Sequence, residues 1–271
     1  MDDETTAGWL SDLPWDDPSR KSNSKPRLRR FVHWDKPILY LELLGTGGEG
    51  QVFRVKIEGK IYVLKIFHEW HYVGMPLPEK LQQFTSPFAH EARAFARLDC
   101  IGENGTWAVK CHGWMRLTYD HLLPIDRHCP PDIVSWAIVK DYIPETVQLT
   151  DVPEIRRKME IAYRASIFPI DILPRNYRGS FLVDLGSSMT WPYIRKLWGS
   201  DRAFDIEFER VDNLVSSWEI SDVDGVTVVN GDENRIRRKL KEQEQRMRKQ
   251  AEELKNSESH PADHVNRLVV E

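Results

Sequence analysis

Cysteine is scarce in this chain: three residues, an odd number, with no C-x-x-C spacing. That usage fits a reducing compartment better than a disulfide framework. No apolar run approaches the ~18 residues that a membrane-spanning helix needs, so no membrane partner is expected. The opening MDDETTAGWL lacks the basic and apolar regions of a secretory signal. The expected location is therefore intracellular, nuclear or cytoplasmic. Glycine (15) and proline (16) are too few among 271 residues for a fibrous chain. No G-x-S-x-G is present, which argues against a serine hydrolase of the α/β type. What the chain does have is 41% hydrophobic residues, with ten Trp and ten Phe. A wholly disordered chain would carry far fewer.

The net charge of -4 hides segregation. Residues 1–17 carry six acids and no base, and residues 18–30 carry six bases and no acid. The basic block ends in Lys25-Pro26-Arg27-Leu28-Arg29-Arg30. Such a run reads as a nuclear-localisation or nucleic-acid patch, or as a solvated arm. The solvated, disordered arm over 1–30 is the expectation, without direct nucleic-acid binding. Residues 232–258 hold nine bases and seven acids, with no Pro or Gly, and read as a charged helix followed by a tail over 259–271. Leu240, Met247 and Leu254 repeat by seven on it, the spacing of a short seam toward a protein partner. The middle, 31–231, holds almost all the aromatics and must hold the core.

Within that middle, Leu39–Leu44, Gln51–Ile57 and Ile61–Phe67 read as three strands, the first turn glycine-rich and the second Glu58-Gly59-Lys60. Phe88–Leu98 reads as a helix with Phe88, Ala92, Phe95 and Ala96 on one face. Strands are expected over Trp107–Trp114 and Trp136–Ile143, a helix over Pro153–Ala165, and a short strand at Phe181–Val183. The expectation is an α+β fold, a small sheet-rich part followed by a more helical one.

The first turn is G-x-G-x-x-G-x-V: Gly45, Gly47, Gly50 and Val52. Glycine there lets a backbone approach phosphates closely and present its N–H groups. The turn joins two strands. It is therefore neither a Rossmann loop, which opens a helix, nor a Walker A loop, which would need Lys and Ser/Thr where Gln51-Val52 stand.

With this placement the chain resembles the protein-kinase-like superfamily, which has an antiparallel N-lobe and a helical C-lobe. Val63-Leu64-Lys65 is similar to the family's strand lysine, which holds ATP phosphates. Glu91 stands where the lysine's helical partner is expected, and Ala137–Ile143 where the hinge strand is expected. Asp171-Ile172-Leu173-Pro174-Arg175-Asn176 resembles D-L-K-P-E-N, and Asp184-Leu185-Gly186 resembles D-F-G. The resemblance implies catalytic roles for Asp171, Lys65 and Glu91. It implies nucleotide contacts from Gly45, Gly47, Gly50, Val52 and Lys65, and Mg²⁺ ligation by Asn176 and Asp184. ATP and Mg²⁺ are the cofactors it implies. The lobes would be 31–143 and a reduced 144–231.

Departures concern catalysis. Pro169-Ile170 replaces His-Arg, Leu173 replaces a lysine that would offset transition-state charge, and no A-P-E follows Asp184. The runs Asp171–Gly179 and His90–Leu98, with Leu182-Val183-Asp184, are closer still to a divergent fungal group named after the Fta-type subunit of the Sim kinetochore complex. That resemblance spans roughly 38–190. The implied function is a kinase-like ATP-binding protein, an atypical phosphotransferase acting on a hydroxyl. The alternative is a pseudokinase-like scaffold or kinetochore-type assembly subunit without catalysis.

Two other constellations carry less. Cys111-His112, His121 and His128-Cys129 do not follow zinc spacings. Trp191, Trp198 and Trp218 are expected to pack the second lobe.

Overall fold

The computed structural model describes residues 9–14, 26–71, 85–128, 133–190, 219–223 and 226–230. Strands β1 (Leu10–Pro14), β2 (Leu28–Arg30), β3 (Leu39–Gly47), β4 (Gly50–Ile57) and β5 (Lys60–His68) precede helix α1 (Pro87–Cys100). Strand β6 (Cys111–Arg116), the four-residue helix α2 (Tyr119–Leu122), strand β7 (Ile133–Asp141) and helix α3 (Val152–Arg164) follow. The described chain then continues through short strands: β8 (Ile167–Phe168), β9 (Tyr177–Arg178), β10 (Phe181–Leu182), β11 (Met189–Thr190), β12 (Glu219–Val223) and β13 (Val226–Asn230).

Seven of these strands form one sheet in the order β1-β2-β6-β7-β5-β4-β3. The β3–β4–β5 meander is antiparallel, as its alternation and two tight turns predict, and β7 joins it antiparallel to β5. The β1–β2 and β2–β6 pairs are parallel, so the sheet is not antiparallel throughout. Both β1 and β2 fall inside the span read as an arm. Leu10 and Leu28 are buried there, and the Leu28 N–H donates to the Trp9 carbonyl at 2.7 Å. The basic run is partly structural: buried Arg29 donates to the Pro14 carbonyl at 3.3 Å, and the Arg30 guanidinium lies 4.3 Å from the Trp34 ring centroid.

The sheet is covered on both faces, and strand alternation sorts the side chains. Leu64, Ile66, Ala137 and Val139 join Phe31, Phe53, Met115 and Leu117 in one core. Phe67, Ile138, Trp114 and Trp136 join the other, against α1 and the segment that follows β7. Lys65 and Lys140 fall on this second face, since each alternates with residues of the first core.

Helix α1 forms where strong helix formers follow a cap. Ser86 accepts from the Ala89 N–H at 3.2 Å, and Pro87 opens the first turn. It buries Phe88, Ala92, Phe95 and Ala96, the face expected, and also Glu91. Arg93 and Arg97 donate to the Thr190 and Ala165 carbonyls, tying the helix to β11 and to the end of α3. Helix α3 carries Pro153 and Glu154 in its first turn and buries Ile155, Met159 and Ala162. The charged segment 232–258, the tail 259–271 and Trp191, Trp198 and Trp218 lie outside the described residues. Among the described residues, no helix is long and apolar enough to cross a membrane.

Candidate functional site: a charged cleft under a glycine hairpin

A cleft of about 620 Å³ opens beneath the β3–β4 hairpin. Gly45, Gly47, Gly50 and Val52 line it from above. Lys65, Asp171, Asn176 and Asp184 line it from β5 and from the two loops after β8 and β10. Eight of the nine residues singled out from the sequence thus surround one space. The ninth, Glu91, lies behind it, fully buried on α1.

Lys65 sits at the centre. Its Nζ lies 2.7 Å from Asp184 Oδ1, 2.9 Å from Glu91 Oε2 and 3.0 Å from Glu49 Oε2. Burial opposes the ammonium charge, but Glu91, Asp184 and Glu49 together outweigh it and push the pKa above its ordinary value. Asp184 shows the complementary effect. Burial would raise its carboxyl, but the charges of Lys65 and Lys140 hold it down at about 2, and the Gly186 N–H also donates to Oδ1 at 2.9 Å.

Two partners of this cluster were not foreseen. Lys140 is buried and donates to Glu91 Oε1 at 2.6 Å and to the Val183 carbonyl at 2.7 Å. The signal for it was a lysine directly after the apolar run Trp136-Ala137-Ile138-Val139. Glu49 occupies a free position of the glycine motif, and its Oε1 accepts from Ser187 Oγ at 2.9 Å. Nothing in a motif reading distinguishes that position, because its role depends on a contact 138 residues along the chain.

The Asp171 loop is separately braced. Asn176 Nδ2 donates to the Asp171 carbonyl and to Asp171 Oδ2, both at 2.9 Å. The Asn176 carbonyl accepts from the Val183 N–H at 2.8 Å, joining this loop to the Asp184 segment. Arg175 stands 3.6 Å from Asp171 Oδ2.

The glycines differ in why they are glycine. A Cβ on Gly50 would meet the Ile66 carbonyl oxygen at 2.1 Å, so packing against β5 forbids one. Around Gly45, Gly47 and Gly48 a Cβ would meet nothing within 4 Å. Internal packing does not ask for glycine there.

Of the histidines and cysteines weighed for zinc, the side chains of Cys111, His112 and His121 are described. His112 pairs with Asp141 at 2.6 Å, and His121 accepts from the Thr118 N–H and contacts the Lys36 carbonyl. Cys111 is buried, which pushes its thiol up. Cys129 lies outside the described residues. Among the described residues no group of three His, Cys, Asp or Glu side chains is placed to hold a metal.

Residues 11–189 match the family model described as kinetochore Sim4 complex subunit FTA2. The chain belongs to this family. The FTA2 match begins in β1 and ends in β11, so it takes in the sheet edge that the sequence reading had left outside its span of 38–190. None of the curated proteins matches the chain closely enough to count as a relative.

Proposed function

We propose that this chain is a nuclear assembly subunit of a kinetochore complex of the Sim4 type, built on a two-lobed protein-kinase-like scaffold whose cleft binds nucleotide. The observation that carries the assembly role is the family match over 11–189, which spans both cores. Protein partners follow from that role.

The nucleotide part rests on the cleft. Val52, Val63, Val109 and Val183 offer apolar walls suited to a purine, and Lys65 offers a charge suited to phosphate. The room beside Gly45, Gly47 and Gly48 suits a ligand that approaches the hairpin backbone closely. Asp184 and Asn176 would hold Mg²⁺, which takes few protein ligands and completes its shell with phosphate and water. A bound nucleotide would supply the phosphoryl group of any transfer. Lys65 would orient its phosphates, with Glu91 fixing the lysine from behind.

A second reading, phosphotransfer, is favoured by one feature. Asp171 lines the cleft with its carboxylate fixed by Asn176, as a group receiving a hydroxyl proton must be. Leu173, where a lysine would offset charge, weighs against it.

Two measurements test the proposal. A fluorescently tagged chain, expressed in the cells that encode it, should coincide with centromeric chromatin; a diffuse signal would overturn the assembly role. Mg-ATP should raise the melting temperature of the full chain, and Gly47→Val should abolish that rise while leaving the unliganded melting temperature unchanged. Equal shifts in both proteins would remove nucleotide from under the hairpin.

A further inference from the structure

We propose that Glu49 is a built-in anion that occupies the phosphate position of the cleft, so that a nucleotide enters only by displacing it. This inference rests on the nucleotide-binding reading above.

The turn that carries Glu49 is held over β5, since its carbonyl accepts from the His68 N–H at 3.0 Å. That places the carboxylate inside the cleft, 3.0 Å from Lys65 Nζ and 2.9 Å from Ser187 Oγ. It also abuts Gly186: a Cβ there would stand 1.9 Å from Glu49 Oε2. A side chain at Gly186 would therefore require the Glu49 carboxylate to shift, as the far end of a flexible side chain can.

Three carboxylates already crowd the ammonium that a phosphate would need. An ammonium has three N–H groups. Asp184 and Glu49 accept from two of them at 2.7 Å and 3.0 Å, and Glu91 Oε2 faces the same Nζ at 2.9 Å as an ion pair. Glu91 is enclosed and shared with Lys140, and Asp184 is also held by the Gly186 N–H. Glu49 rides on the two-residue turn Gly48-Glu49, with open space beside Gly47 and Gly48 and with Gly50 packed on β5, and its side chain is the partner able to leave.

Charge leads to the same residue. Lys65 and Lys140 already balance Glu91 and Asp184, and Glu49 is the surplus carboxylate. An incoming phosphate meets repulsion from it as well as competition for Lys65. The hairpin is thus self-closed by its own side chain, and the cleft discriminates in favour of ligands whose phosphates can replace a carboxylate.

The test uses the full-length chain and Mg-ATP as probe, with affinity read by calorimetry. Glu49→Ala should bind about tenfold tighter than wild type, the equivalent of about 1.4 kcal/mol. Ser187→Ala, which removes one anchor of Glu49 without touching Lys65, should shift affinity in the same direction by a smaller factor. It also serves as the second variant if Glu49→Ala fails to fold. Equal or weaker binding by both variants, with wild type binding measurably, would overturn the role of Glu49 and leave the nucleotide reading standing. No binding by wild type or by either folded variant would overturn both.

Discussion

Glu91, which has no contact with solvent, pairs with two ammonium groups: Lys65 at 2.9 Å and Lys140 at 2.6 Å. Buried charges survive only when paired this way, since removing one partner leaves the other uncompensated. The cluster makes stability depend on pH, and the sign follows from its two shifted groups. Asp184, held at about 2, contributes stability that is complete above the ordinary carboxylate pKa of about 3.9 and is lost as pH falls through about 2. Lys65 is shifted upward, so its contribution is complete below the ordinary lysine pKa of about 10.4 and disappears only as pH rises beyond that. Urea unfolding of wild type should therefore show declining stability between pH 4 and pH 2. Asp184→Asn should show a shallower decline across that window; an unchanged slope would detach Asp184 from the effect. The positions of Lys65, Glu91 and Asp184 were readable from motif order. Lys140 and Glu49 were not, because a motif reading assigns one glutamate to one lysine and leaves the free positions of a glycine loop blank.

At the scale of elements, β6 meets β2 through Gly113. Its φ is +118°, and a Cβ would stand 2.3 Å from the Arg29 carbonyl oxygen. The β6–β7 register also shifts between Cys111 and Gly113, which marks a bulge at the same place. Gly113→Ala should push β2 off the sheet and cost about 1–3 kcal/mol, as overpacking does. Chemical denaturation checks this, and wild-type stability in the variant would show that β2 yields freely. The β3–β4–β5 meander and α1 were legible beforehand because their information is local: alternation, tight turns, a cap and an apolar face. Strands β1 and β2 were not, because Leu28-Arg29-Arg30 is three residues long and looks like a solvated basic run. Its strand character comes from Trp114 and Phe31, with the Phe31 N–H donating to the Trp114 carbonyl at 2.8 Å.

At the scale of the whole molecule, the N-terminal segment closes one edge of the sheet. Trp9 and Leu10 are buried, and Trp114 Nε1 donates to the Ser11 carbonyl at 3.1 Å. Burying side chains of this kind contributes roughly 1.5–3 kcal/mol each. Removing residues 1–14 should accordingly lower the melting temperature by about 5 °C or more, since about 1 kcal/mol moves a domain of this size by about 2–4 °C. An unaltered melting curve would show that β1 adds nothing to the fold. The family match beginning at residue 11 agrees with counting this segment in.

By itself, the sequence determined the α+β class, the central meander, α1 and the membership of one polar constellation, because each depends on short-range pattern or on motif order. Tertiary structure decided the parallel edge, the doubly partnered Glu91 and the closure of the cleft by Glu49. Those depend on which residues meet across 16 to 138 positions of chain. Contacts at such separation are selected by packing and charge balance in three dimensions, and no local pattern encodes them.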